Sequence, residues 1–117
     1  MGLDAFLFIV NNETNESEEL TCFRKFNALQ GFMEDLYREK GGTEEDFNCI
    51  PLELTDEDLM ELEMRLRHNL LTPREGFFFG AQEVSDYHKE DLRFALEKIK
   101  SLKESGADFK VMYDSWW

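Results

Sequence analysis

An α+β fold, with about three helices packed on a small sheet that contains the N- and C-terminal strands, is predicted by three observations. Leu3 to Val10 is an almost unbroken apolar run, and Phe109, Val111 and Tyr113 alternate with polar neighbours at the other end of the chain. Between them lie three stretches whose apolar residues recur at three- and four-residue spacings. At 117 residues the chain has the size of a single domain, residues 1 to 117, with one core. Hydrophobic residues at 42%, with 11 Phe among them, supply enough apolar surface to fold despite a charged fraction of 33%.

The opening run, with its β-branched end, is predicted as a strand buried on both faces, and residues 11 to 19 as a polar, acidic loop. Cys22, Phe26, Leu29, Met33 and Leu36 predict a first helix that ends at Gly41-Gly42, with Gly31 inside it marking a close approach to a neighbour. Ile50, Leu52 and Leu54 alternate with Pro51 and Glu53, which predicts a short strand that the proline places at an edge. Thr55 then offers an N-cap, and Asp56, Glu57 and Asp58 place acids in the first turn, where the helix dipole favours them. The second helix carries Leu59, Leu62, Leu66 and Leu70 and is expected to end near Thr72-Pro73.

Gly76-Phe77-Phe78-Phe79-Gly80 is either a strand or a packed aromatic loop. Ser85 is the expected N-cap of a third helix with His88, Leu92, Ala95, Ile99 and Leu102 on its stripe and Gly106 at its stop. The final strand runs through Phe109, Val111 and Tyr113 to Trp116 and Trp117. Two adjacent terminal tryptophans are hard to bury together, so either one covers the sheet edge or the pair forms a partner-binding or self-association patch, and a homo-oligomer is one outcome.

Charge narrows the function classes. Lys and Arg number 13 against 26 Asp and Glu, a net charge of −13, which disfavours direct binding of nucleic acid. The imbalance belongs to residues 1 to 64, with 17 acids and 4 bases; residues 65 to 117 hold 9 of each. Glu44, Glu45, Asp46, Asp56 and Glu57 are the candidate partner-binding acids, and Trp116 and Trp117 are the candidate partner-binding aromatics. If the acidic clusters share a face, they steer a protein with a basic surface, in the sharpest case by imitating the nucleic acid that such a protein handles; otherwise they serve solubility.

No His or Cys spacing matches a metal site, and neither glycine-rich phosphate motif occurs, so no metal or cofactor is expected and no catalytic residue is assigned. Arg24 and Lys25 stand together where the dipole of the predicted first helix disfavours cations. Either the acids of residues 16 to 19 satisfy them, or, with Asn27, Phe78 and Tyr87, they form a site for a small anionic ligand, which a cryptic enzyme could also use. Cys22 and Cys49 sit in apolar neighbourhoods and are expected as buried free thiols. Met1 to Phe6 lacks the basic segment of a signal peptide, and Ala5 to Val10 is too short to cross a membrane, so a soluble cytoplasmic protein is expected.

Five landmarks occur in order: Met1-Gly2-Leu3-Asp4, Phe23-Arg24-Lys25-Phe26-Asn27, Gly76-Phe77-Phe78-Phe79-Gly80, Tyr87 with Asp91-Leu92, and Tyr113-Asp114-Ser115-Trp116. Together they resemble a family of small, mostly uncharacterised proteins encoded by bacteriophages, whose members typically begin Met-Gly-Leu-Asp. The resemblance spans nearly the whole chain and implies an accessory protein made in the host bacterial cytoplasm, acting on a host or phage protein. This chain departs from the family pattern at Ala5 and Phe23, and it has only a short acidic loop where relatives often carry a long polar insert. Some relatives carry the label phosphoglycerate kinase, a large two-domain enzyme that a chain of 117 residues without a phosphate cradle does not supply.

Overall fold

A computed structural model describes residues 3–71 and 85–117. Along the chain run β1 (Asp4–Asn11), β2 (Ser17–Arg24), α1 (Asn27–Glu39), β3 (Leu52–Leu54), α2 (Asp56–Arg67), α3 (Asp86–Glu104) and β4 (Phe109–Trp116). The strands form one antiparallel sheet in the order β2-β1-β4-β3, so the first and last strands are its centre. The three helices pack on one side of it, which is the α+β arrangement that the periodicities predict.

Strand alternation divides the sheet into two faces. Ala5 and Leu7 of β1, Phe23 of β2, Leu52 and Leu54 of β3, and Val111 and Tyr113 of β4 point to the helices and are buried. Leu29 and Met33 of α1, Leu62 of α2 and Leu92 and Ala95 of α3 meet them in one continuous core. A polar group is built into this core. Gln30 donates from Nε2 to the Phe47 carbonyl at 3.0 Å and accepts at Oε1 from the Tyr113 hydroxyl at 2.5 Å. Tyr113 is wholly buried, and that burial holds its phenol protonated far above the ordinary range.

The starts of α2 and α3 and the ends of α1 and α3 follow their sequence signals. The Thr55 hydroxyl accepts from the Asp58 N–H while the Asp58 carboxylate accepts from the Thr55 N–H, a reciprocal capping box. Ser85 caps α3 through the His88 N–H. Gly41 and Gly106 take positive φ just past α1 and α3, and in each case two turn hydrogen bonds close the last carbonyls. Pro51 precedes β3, which lies at the sheet edge as expected.

Five expectations need correction. β1 is buried on one face only, because the helices cover one side of the sheet and leave Phe6 and Phe8 half-buried on the other. The acidic loop is shorter than predicted. Residues 12 to 16 make a turn in which the Asn11 side chain accepts from the Glu13 and Thr14 N–H groups, and Ser17–Arg24 is a strand pairing with β1. The first helix therefore begins at Asn27, so Arg24 ends a strand, Lys25 takes a left-handed turn conformation at φ 57°, and Cys22 is not helical. The second helix stops at Arg67 rather than near Thr72, because Asn69 adopts φ 55° and a Schellman closure binds Leu70 N–H to the Arg65 carbonyl at 2.8 Å. Cys22 and Cys49 are free thiols, but both residues are exposed. The Gly76 to Gly80 segment and Phe78 lie outside the described residues.

Candidate interaction surface on the open face of the sheet

The face of the sheet turned away from the helices is apolar along its middle. Asp4, Phe6, Phe8 and Val10 of β1 share it with Lys110, Met112, Asp114 and Trp116 of β4, their register partners. Phe6 meets Trp116 edge to face at 5.5 Å between ring centroids, and Phe8 lies opposite Met112. The indole is 54% exposed, so this aromatic strip is open to solvent. A shallow groove of about 280 Å³ runs between these rings, Ser17, Glu19 and Asp114.

Carboxylates rim the strip. Glu19 lies opposite Phe8 and Asp114 opposite Phe6, while Glu53 on the β3 edge faces Met112. Asp4 accepts from the Trp116 indole N–H at 3.2 Å and pairs with Arg24 at 3.5 Å, fixing the ring across the end of the sheet. Cys22, opposite Phe6, reports the local field. Partial burial of the thiol, and then the carboxylates of Glu19 and Asp4, push its pKa above the ordinary value, while Arg24 pulls against them.

The other acids lie elsewhere. Glu44, Glu45 and Asp46 follow α1 with their side chains exposed, and the Arg38 guanidinium holds their segment through the carbonyls of Glu44 and Glu45. Asp56 and Glu57 open α2 in the helical layer, where Lys103 pairs with Asp56, and Lys40 reaches Asp58 at 2.5 Å. The acid-rich N-terminal part of the sequence is thus divided between the open face and the helical side. Trp116 and Trp117 also part. Trp117 donates its indole N–H to the Phe47 carbonyl at 3.2 Å and its backbone N–H to the Asn48 side chain at 3.1 Å, leaving Trp116 alone on the open face.

Around the candidate anion site, Arg24 projects into solvent beside Asp4, Lys25 is exposed with its backbone N–H on the Leu3 carbonyl, and Asn27 is buried at the start of α1. Tyr87 is exposed on α3, and the next residue, His88, stacks on Phe26 at 4.4 Å and bonds from Nε2 to the Arg24 carbonyl at 2.8 Å. The fold therefore brings the Tyr87 turn of α3 to the Arg24 turn of the chain, while Asn27 faces the interior instead of sharing a surface with the two cations.

The outward faces of β1 and β2 carry opposite signals in the sequence. β1 is apolar on both faces and hides its open side, whereas β2 is so polar that it reads as loop. The alternating pairs Phe6 with Phe8 and Met112 with Asp114 were the available signal.

Among the described residues no group of three or more His, Cys, Asp or Glu side chains is placed to hold a metal ion, and no helix is long and apolar enough to cross a membrane. No family model, no curated protein and no solved structure matches this chain.

Proposed function

We propose that the chain is a non-enzymatic, acidic protein-binding module that uses the open face of its sheet to hold a host or phage protein with a basic surface. One observation carries this reading: an aromatic strip, Phe6, Phe8 and Trp116, is left uncovered by the helices and is rimmed by Glu19, Asp114 and Asp4. An apolar strip gains by excluding water against a partner, and a carboxylate rim selects and steers one that is positively charged. The net charge of −13 extends that steering beyond the contact itself. The resemblance to bacteriophage proteins is what suggests the cytoplasm of an infected bacterium as the setting of this proposed encounter.

The test is affinity capture from bacterial lysate at low and moderate salt, with the wild type beside Trp116→Ser and Glu19→Lys/Asp114→Lys. The wild type is expected to retain one stoichiometric basic partner, more weakly as salt rises. Trp116→Ser should release it at both salts, and the charge reversal should abolish capture at low salt. Equal capture by all three proteins would refute the assignment of the open face.

A further inference from the structure

The groove on the open face has a narrower chemistry than the strip around it. β1 lies between β2 and β4, so Phe6 and Phe8 are its floor, with Ser17 and Glu19 on the β2 side and Asp114 and Trp116 on the β4 side. Each wall carries one carboxylate. Phe6 and Trp116 meet at 81°, so ring surface bounds this corner from two directions, and Asp4 fixes the indole by its N–H.

Among the described residues that line the groove none is Lys or Arg, and among the described ion pairs none involves Glu19 or Asp114. Two cations stand elsewhere on this face. Arg24 is paired with Asp4 at one end of it, and Lys110 lies opposite Val10 at the other. Asp114 accepts at Oδ1 from the Ser115 N–H at 2.8 Å, a bond that leaves its charge in place. Two carboxylates and no cation give the groove a net charge of −2 above an aromatic floor. Cys22, opposite Phe6, has its thiol pKa raised by burial and then by Glu19, which agrees with that field.

We infer that this groove receives one arginine side chain of the bound protein, its guanidinium on the Phe6–Trp116 corner between the carboxylates of Glu19 and Asp114, an inference that rests on the open face being a protein-binding surface. Aromatic faces attract a cation, and a planar, weakly hydrated guanidinium can lie flat on them while its N–H edges reach outward. Carboxylates on both walls are the acceptors those edges need. A lysine ammonium is compact and strongly hydrated, so it gains less from the rings and loses more on leaving water. At about 280 Å³ the groove is smaller than the roughly 300 to 1,000 Å³ of small-molecule pockets, which suits a single side chain. Arginine thus gives the partner's basic surface a specific anchor, with the rest of the acidic field steering its approach.

Proton–nitrogen NMR of the isotope-labelled full chain, titrated with the capped tripeptide Gly-Arg-Gly, tests this. The Trp116 indole N–H and the Phe6 and Phe8 amides are expected to shift together and saturate in the millimolar range, while the Trp117 indole, bonded to the Phe47 carbonyl, stays in place. The same peptide with lysine should bind about threefold or more weakly, and one with uncharged citrulline should leave these signals unmoved. Glu19→Gln/Asp114→Asn should weaken the arginine peptide by about tenfold or more while circular dichroism stays unchanged. No saturable shift at Trp116, equal affinity for the arginine and lysine peptides, or a double variant that binds like the wild type would each overturn the proposal. A partner still captured from lysate through Trp116 when the arginine peptide fails would remove the arginine anchor and leave the protein-binding reading standing. An arginine peptide that binds in place while the lysate yields no such partner would uphold the groove's preference and remove that reading instead.

Discussion

The two faces of the sheet are built from the same four strands and differ in what surrounds their apolar residues, which on one face are enclosed by helices and on the other stand among charged side chains. On the covered face Leu7 and Tyr113 are wholly buried beneath three helices, and the buried Gln30 is held at both ends of its amide. On the open face Phe6 meets Trp116 and Phe8 lies opposite Met112, none of the four is buried, and carboxylates border them. Folding accounts for the first face. The second exposes aromatic area that folding does not require and solubility disfavours, which is why it is assigned to binding.

The contrast can be broken from either side. Leu7→Ala should cost about 2 to 5 kcal/mol in urea unfolding, because its site is closed on all sides and cannot collapse around the cavity. Tyr113→Phe keeps the ring but strips the Gln30 oxygen of its donor, for about 1 to 3 kcal/mol. The capping box calibrates a change away from both faces, and Thr55→Ala should cost about 1 kcal/mol. Trp116→Ser on the open face should cost under about 1 kcal/mol while removing partner capture, the reverse of the inner-face pattern.

Acid should erode a specific part of this stability. Burial raises the pKa of Asp58, but hydrogen bonds from the Lys40 ammonium and from Thr55 outweigh it and hold the carboxyl below its ordinary value. A carboxylate whose folded pKa is depressed contributes stability above the unfolded pKa, and that contribution is lost as pH falls through the folded one. Asp58→Asn should therefore lower stability at neutral pH and make the acid limb of a stability profile shallower, measured by urea unfolding from neutral pH downward.

Much of this fold was legible in the sequence, for reasons visible in particular residues. Thr55, Ser85, Gly41 and Gly106 act through local geometry, so a reader of the chain can place them without knowing the neighbours. β2 escaped because Glu18, Glu19, Cys22 and Arg24 are exposed on an edge strand, leaving Phe23 as its one fully buried residue. The spacing of Cys22 and Phe26 then mimicked a helix turn that the chain does not make. The end of α2 comes before the one that Thr72-Pro73 predicts because Asn69, an unremarkable residue in a leucine-rich run, adopts a left-handed conformation that closes the helix first. Of the candidate site, Trp116 and the excess of acids could be named in advance. Which acids stand beside the aromatic strip depends on strand register, and register depends on contacts across the sheet.

The most direct measurement is hydroxyl-radical footprinting of the full chain, alone and with its captured partner. The account predicts that oxidation of Met112 and Trp116 falls when the partner is added, while Met60 and Met64 on the helical layer are unchanged. Met112 and Trp116 oxidised equally in both samples, with protection elsewhere, would contradict it.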